Sequence, residues 1–241
     1  MLFRSNKGGH SSIPVPDNAI YHLAGALTRL ADYGFPLKTD AATDAYFHQM
    51  SRIETGPTGQ TLEGFDGSKT SLQRAAAASP MWNSMLRTTC VATQLEGGHA
   101  LNALPQLAAA NINCRILPED SVEYVQQTLT RIIADPQVVL SILTPATQGP
   151  SSPLNPQILA AITSATEHKW PNVPVVPVMM TGATDGRFLR AAGIPTYGVQ
   201  GFFLDRDDIR FHGRDERLLV SSFYEGQQFL YDLVKTLSTS Q

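Results

Sequence analysis

Two segments near the C-terminal end of the chain carry residues that could form half of a two-metal hydrolase site. The first, at residues 181–187, reads Thr-Gly-Ala-Thr-Asp-Gly-Arg, and the second, at residues 211–217, reads Phe-His-Gly-Arg-Asp-Glu-Arg. Gly182 allows backbone N–H groups to face a ligand. His212 follows a glycine-containing connection at the predicted mouth of a parallel sheet, where α/β enzymes bind their ligands.

Each of these features also has an ordinary structural explanation. A lone histidine such as His212 is more often a surface or core residue than a ligand. Thr184 or Asp185 could cap the helix that follows the loop, which would by itself account for the loop sequence. From the residues alone, both interpretations stay open.

The elements ahead of these segments have the order of an α+β fold. An apolar stripe at helical spacing predicts a helix that Asp17 can cap and that runs to about residue 30. Beyond it the pattern predicts strands at residues 87–95 and 107–116, a helix at 119–134 and a strand at 138–143. This order, with a strand lost or clipped in front, describes a ferredoxin-like α+β layer.

The strand predicted at residues 107–116 has one apolar and one polar face. Ala108 and Ile112 lie on the first face, and Asn111, Asn113 and Arg115 lie on the second. This alternation is typical of a half-buried antiparallel strand whose polar face is available to a ligand. Taken alone, Arg115 is an ordinary exposed strand residue.

The remaining segments divide the chain. Residues 35–86 have an irregular, glycine-punctuated pattern that predicts a surface insertion with one short helix at 73–78. Residues 144–156 are rich in Pro, Ser and Gly and form the predicted domain boundary. Beyond the boundary an α/β pattern predicts helices at 158–168, 187–192 and 217–237 and strands at 174–180 and 194–199. Two strands are too few for an independent α/β domain, so we expect exposed apolar edges there.

The composition excludes several classes of protein. The chain has 241 residues, of which 42% are hydrophobic and 16% charged, and its net charge is −3 without a basic stripe. We therefore expect no nucleic-acid partner, and the lack of a long apolar run predicts no membrane span. No signal peptide is visible, which leaves a soluble protein of the cytoplasm or the periplasm open.

The two cysteines and the serines do not suggest nucleophilic catalysis. There is no Gly-x-Ser-x-Gly elbow, and neither Cys90 nor Cys114 lies beside a catalytic-looking histidine. Because both cysteines fall in predicted neighbouring strands, a cross-strand disulfide is possible. Two reduced, apolar strand residues are an equally good interpretation.

Four motifs, taken together, resemble the aminoacylase/carboxypeptidase family of dizinc hydrolases (metallopeptidase family twenty). They are GGHSSIPVPDNAI at residues 8–20, GGHALNALPQLAAANINCRILPED at 97–120, TGATDGRFLRAAGIPTYG at 181–198 and FHGRDER at 211–217. ATDGRF and HGRDER are most similar to the carboxypeptidase-S branch. The resemblance implies a ferredoxin-like lid (dimerisation) domain followed by the C-terminal part of an α/β zinc-hydrolase catalytic domain.

The resemblance also implies roles for individual residues. His212 matches a zinc ligand, and His10 matches the lid histidine that reaches the partner subunit's active site and stabilises the oxyanion. Asn102 and Arg115 match the lid residues that hold the substrate carboxylate, a role that suits the guanidinium fork of Arg115. The loop that faces the substrate backbone is matched by Gly182, Ala183 and Thr184.

The sequence departs from the family in its metal ligands. It contains no His-x-Asp pair and no Glu-Glu pair, so of the ligands for two zinc ions only His212 is present. We therefore expect a fragment, inactive alone, of a protein that cleaves the amide bond of small peptides or N-acyl amino acids with a free carboxylate. A homodimer through the lid is implied, and a non-catalytic dimerisation or binding module is the alternative.

The expected boundaries follow from the motifs. The first five residues are predicted to be a non-native leader, because Leu2 to Ser5 could be encoded by a sequencing-library adapter. Residues 6–148 are predicted to form the lid, with an insertion at about 35–86. Residues 149–241 are predicted to form the C-terminal part of the catalytic domain.

Overall fold

A computed structural model describes residues 1–205, 208 and 210–239 of the chain. Its strands are β1 (Leu2–Ser5), β2 (Gly9–His10), β3 (Thr89–Gly97), β4 (Ala103–Leu104), β5 (Leu107–Arg115) and β6 (Val139–Leu140). Its helices are α1 (Ala19–Ala31), α2 (Ala41–Ile53), α3 (Gly56–Leu62), α4 (Lys69–Ala78), α5 (Pro80–Leu86), α6 (Val122–Ile133), α7 (Pro156–Lys169), α8 (Gly186–Ala191) and α9 (Val220–Thr239).

The main sheet is antiparallel and has the order β3-β5-β1-β6. Its inner strand β1 pairs with both β5 and β6, so that Leu2 lies opposite Ala110 and Leu140 and is 1% exposed. Helices α1 and α6 pack against each other and bury their apolar residues with those of the sheet. The result is a two-layer α+β unit with one hydrophobic core.

The position ahead of α1, where the sequence predicted a lost or clipped strand, is filled by β1, a short strand of four residues. A segment of four residues is too short for its alternation to stand out in the sequence. The leader hypothesis concerns the origin of residues 1–5 rather than their placement, and it stays a prediction.

Residues 35–86 form a compact helical unit where the sequence predicted an irregular surface insertion. Side chains cap three of its helices: Asp40 bonds the N–H of Thr43 in a capping box, and Ser68 and Ser79 cap α4 and α5. Phe47 and Leu62 are fully buried in a core separate from that of the sheet. The helices α3 and α5 were missed because they have only seven residues each, less than the window in which helical periodicity can be read.

Beyond residue 148 the predicted helices are confirmed as α7, α8 and α9, but the predicted strands are wrong. In the part of this segment that the structure describes, residues 174–180 and 194–199 are in no strand, since a strand needs a neighbour to accept its hydrogen bonds. Val176 and Met179 pack instead on the helical core of residues 35–86. Apolar side chains are exposed here as expected, for example Met180 at 68%.

Cys90 and Cys114 lie directly opposite each other in the β3–β5 register, and their sulfurs are bonded at 2.02 Å. The sequence left open whether these cysteines are reduced or bonded, and the structure has the disulfide. No helix among the described residues combines the length and the apolar character needed to cross a membrane.

Candidate functional site

A cleft lies between the end of β5 and the segment that follows residue 144. Its volume is about 680 Å³, and it is lined by Arg115 and by the three loop residues Gly182, Ala183 and Thr184. The structure thus brings together four of the seven residues that the sequence singled out. Arg115 is exposed, and its guanidinium forms no hydrogen bond or ion pair with another described residue.

The loop at residues 181–184 is open toward the cleft. A Cβ placed on Gly182 would meet nothing within 4 Å. Asp185 occupies the N-cap of α8, but its side chain makes no capping hydrogen bond. Thr184 accepts the Arg187 N–H with its backbone oxygen, at 3.1 Å, and not with its side chain. Helix capping by these side chains therefore does not account for the loop.

Further charged residues of the cleft were not singled out from the sequence. Arg187 and Arg190 of α8 line it, as does Asp40 at the N-terminus of α2. The arginines outnumber the acid, so the cleft favours anions. The sequence did not indicate them, because their proximity to Arg115 depends on the path of residues 144–156. That path produces no local sequence pattern.

Asp40 is held in its ionised form. Burial acts to raise the pKa of its carboxyl, but hydrogen bonds from Ser151 Oγ at 2.6 Å and from Thr43 N–H at 2.7 Å outweigh burial and lower that pKa. The carboxylate therefore joins the helical unit of residues 35–86 to the segment that leads into α7.

Behind the cleft, a buried network fixes the start of α6. Asp120 is 2% exposed and accepts hydrogen bonds from Lys38 Nζ and, at 2.6 Å, from Thr88 Oγ1. Thr88 Oγ1 in turn accepts the Leu117 N–H at 3.0 Å. The network holds the chain just after Arg115 in place, and so it positions that side chain at the cleft.

His10 and Asn102 lie together on a different part of the surface. Strands β2 and β4 form a two-stranded ribbon in which His10 pairs with Ala103, and Ser11 N–H bonds the backbone oxygen of Asn102 at 2.9 Å. Both side chains are exposed, and neither lines the cleft. His10 Nδ1 lies 2.7 Å from Ser12 Oγ.

His212 does not line the cleft either. It is exposed, it adopts φ of 61° in the left-handed region, and its N–H bonds Glu216 Oε2 at 3.1 Å. Among the described residues there is no group of three His, Cys, Asp or Glu side chains that could hold a metal ion. The described side chains therefore do not fit a zinc ion, which needs three or four protein ligands.

Comparison with protein families gives two matches that together cover most of the chain. Residues 5–139 match the model of the peptidase dimerisation domain. Residues 137–236 match the model of peptidase family M20/M25/M40. The two matches meet at residues 137–139.

Among curated proteins, N-fatty-acyl-amino acid synthase/hydrolase PM20D1 of Homo sapiens is 26% identical over 100% of this chain and 49% of its own length. Probable carboxypeptidase S-like 2 of Dictyostelium discoideum is 28% identical over 95% of this chain and 44% of its own length. The chain thus spans about half the length of the curated relatives that it matches.

Two solved structures share the fold. The M20 family metallo-carboxypeptidase Sso-CP2 of Sulfolobus solfataricus superposes with a TM-score of 0.62 at 16% identity, over 97% of this chain and 56% of that one. The di-peptidase Dug1p of Saccharomyces cerevisiae gives 0.57 at 17% identity, over 99% of this chain and 53% of that one.

Proposed function

Because the chain belongs to peptidase family M20/M25/M40, we propose that it supplies the lid and the C-terminal catalytic part of an amide hydrolase. The substrate class is small peptides or N-acyl amino acids with a free carboxylate. The observation that carries this proposal is the meeting of Arg115 with Gly182, Ala183 and Thr184 in one cleft. N-fatty-acyl-amino acids, which the name of the human relative specifies, contain both the amide and the carboxylate that such a cleft suits.

Arg115 is proposed to hold the substrate carboxylate. A guanidinium binds a carboxylate through two parallel hydrogen bonds, and Arg115 has no competing partner among the described residues. The loop from Gly182 to Thr184 is proposed to hold the amide part of the same ligand through its backbone groups. Its open surface supports this role, since the ligand could approach the main chain closely.

The first part of the chain is proposed to be a ferredoxin-like lid that pairs with a second copy. The sheet order β3-β5-β1-β6 and the match to a peptidase dimerisation domain support this arrangement. His10 is proposed to stabilise the oxyanion in the partner subunit's active site, with Asn102 beside it as a contact to the substrate carboxylate. The exposure of both residues outside the cleft of their own chain supports action on a partner.

The metal chemistry is proposed to need more protein than this chain. The full-length protein is proposed to hold two zinc ions, of which His212 supplies one ligand. One imidazole does not hold zinc usefully, so the chain alone is proposed to be inactive. Its own residues bind and orient the substrate, and we assign no catalytic step at the metal to them.

The proposal is tested by NMR titration of the 241-residue chain with N-acetylphenylalanine. The backbone amide signals of Gly182, Ala183 and Thr184 should shift on addition of the acid. N-acetylphenylalaninamide, which lacks the carboxylate, is the matched control and should shift them much less. Equal shifts with both compounds, or no shift in the loop, would contradict the proposal.

A non-catalytic dimerisation or binding module is the second candidate function. It is favoured because the described residues form the cleft and the β2–β4 ribbon but no group that could hold a metal ion. Hydrolysis of the N-acyl amino acid by a longer product of the same gene would support the first function. A natural short product that binds a full-length subunit without hydrolysis would support the second.

A further inference from the structure

A second pocket lies on the lid, between the C-terminal end of α1 and the start of β3. Its volume is about 400 Å³, within the range of small-molecule sites. None of the described residues that line it also lines the cleft at Arg115. The function proposed above gives this pocket no role.

Arg87 is the one charged side chain among the described residues that line this pocket. It forms no hydrogen bond or ion pair with another described residue, and its Nε atom is buried without a partner. Burial lowers the pKa of the guanidinium. Arg87 as a whole is half-buried. A partly desolvated cation without a counter-charge is stabilised by a ligand that supplies an anion.

Gly34 determines the position of the Arg87 guanidinium in the pocket. The guanidinium lies directly over Gly34, where an added Cβ would be 2.4 Å from Arg87 Nη1. The absence of a side chain at residue 34 is therefore what allows Arg87 to occupy this position. The backbone of Gly34 is not in the left-handed region, so alanine could be placed there without backbone strain.

Apolar side chains form the larger part of the remaining lining, beside the polar Asn83, Thr88 and Thr89. Leu27 and Leu30 of α1 line the pocket together with Phe35 and, on β3, Val91. No carboxylate is found among the described lining residues. The pocket thus combines one unpaired cation with a hydrophobic surface, which suits a ligand that has an anionic head and an apolar body.

We propose that this pocket binds a small organic acid, whose carboxylate pairs with the Arg87 guanidinium and whose apolar group packs against Leu27 and Val91. The fork of the guanidinium matches a carboxylate bidentately. A carboxylate from a side chain of a second copy would satisfy the charge but would leave the apolar lining unfilled. The chemistry therefore favours a free acid with a hydrocarbon group.

The test is an NMR titration of the 241-residue chain with hexanoate, read from the backbone amides of Gly34 and Thr89 at the pocket. Hexan-1-ol has the same tail without the charge, and acetate has the charge without the tail. Hexanoate should shift the two signals saturably, and both control ligands should bind at least about tenfold more weakly. Equal binding of hexanol and hexanoate would overturn the proposal, as would the lack of any shift with hexanoate.

Three variants locate the site. Arg87→Met removes the charge and Gly34→Ala displaces the guanidinium, so each should weaken hexanoate binding by roughly tenfold or more. Arg115→Met leaves this pocket intact and should not change the shifts at Gly34. Loss of these shifts in Arg115→Met but not in Arg87→Met would overturn the proposal without touching the function proposed for the cleft.

Two further measurements keep the test decisive. Circular dichroism verifies that each variant is folded. If Arg87→Met unfolds, the Gly34→Ala variant and the comparison of the three ligands still show whether the pocket binds hexanoate through Arg87. Sedimentation velocity with and without hexanoate distinguishes the source of the carboxylate. If hexanoate acts by dissociating a dimer, the pocket is filled by a second copy and the proposal is wrong.

Discussion

Ser151 donates a hydrogen bond from its Oγ to Asp40 Oδ2 at 2.6 Å, across 111 residues of sequence. Through it, the segment that leads from the lid into α7 is fastened to the N-terminus of α2. Both residues line the cleft that contains Arg115. The shape of the cleft therefore depends on a contact that no local sequence pattern reveals.

We expect Asp40→Ala to destabilise the chain more than Ser151→Ala. Ser151→Ala removes one hydrogen bond to an ionised carboxylate, at a cost of about 1–3 kcal/mol in the free energy of unfolding. Asp40→Ala removes that bond and also the cap of α2, which adds about 1 kcal/mol. Urea unfolding measures both values. Equal losses in the two variants would show that the cap contributes nothing.

A second prediction concerns the contribution of the Lys38–Asp120 pair, behind the cleft, to the free energy of unfolding. Lys38→Met leaves the carboxylate of Asp120, which is 2% exposed, without its cation. Because the Lys38 side chain is itself 36% exposed, the loss should be about 1–3 kcal/mol of unfolding free energy. Lys69→Met, at an exposed position on α4, is the matched control and should stay within about 0.5 kcal/mol of the parent chain. A loss no larger than that of Lys69→Met would contradict a stabilising role for this ion pair.

The pKa of Asp135 should depend on His22. A hydrogen bond from the His22 side chain lowers the pKa of this carboxyl, and the two atoms His22 Nδ1 and Asp135 Oδ2 are 2.6 Å apart. Because the folded-state pKa is depressed, the associated stability is present above about pH 4 and is lost as the pH falls through the folded-state value.

The measurement is an NMR titration of the Asp135 carboxyl in the parent chain and in His22→Ala. The variant should titrate closer to the ordinary value, and its unfolding free energy should fall less between pH 4 and more acidic conditions. His99→Ala, which alters an exposed histidine elsewhere, should leave the titration unchanged. An unchanged Asp135 titration in His22→Ala would contradict the assignment.

The disulfide should stabilise the sheet that holds Arg115. Cys90 and Cys114 are separated by 24 residues, and a crosslink over such a loop is typically worth about 2–4 kcal/mol. Reduction with dithiothreitol should therefore lower the melting temperature of the parent chain. It should leave that of the Cys90→Ser/Cys114→Ser double variant unchanged, and a shift in the double variant would mean that the reductant acts elsewhere.

Regular elements with a clear period were predictable from the sequence, whereas their contacts were not. The alternation of β5 and the apolar stripe of α6 placed both within a few residues of their observed bounds. Strand β1 was missed because four residues carry too little pattern, and α3 and α5 because seven residues do. The apolar runs at 174–180 and 194–199 have strand-like sequences, but a strand exists only where a neighbour accepts its hydrogen bonds.

The candidate site shows the same division. Arg115, Gly182, Ala183 and Thr184 could each be identified from motifs. These four residues line one cleft together with Arg187 and Arg190. They do so because residues 144–156 turn the chain back toward β5, which no local motif reveals. Arg87 was not singled out from the sequence. Its lack of a counter-charge and its position over Gly34 are visible only in the structure.

The most direct test of the account is calorimetric titration of N-acetylphenylalanine into the parent chain, Arg115→Met and Arg190→Met. If Arg115 holds the carboxylate, Arg115→Met should weaken binding by roughly tenfold or more. Arg190→Met, which removes another cation of the same cleft, should change it far less. Parent-like affinity in Arg115→Met, or a larger loss in Arg190→Met, would contradict the assignment of Arg115 as the carboxylate-binding residue.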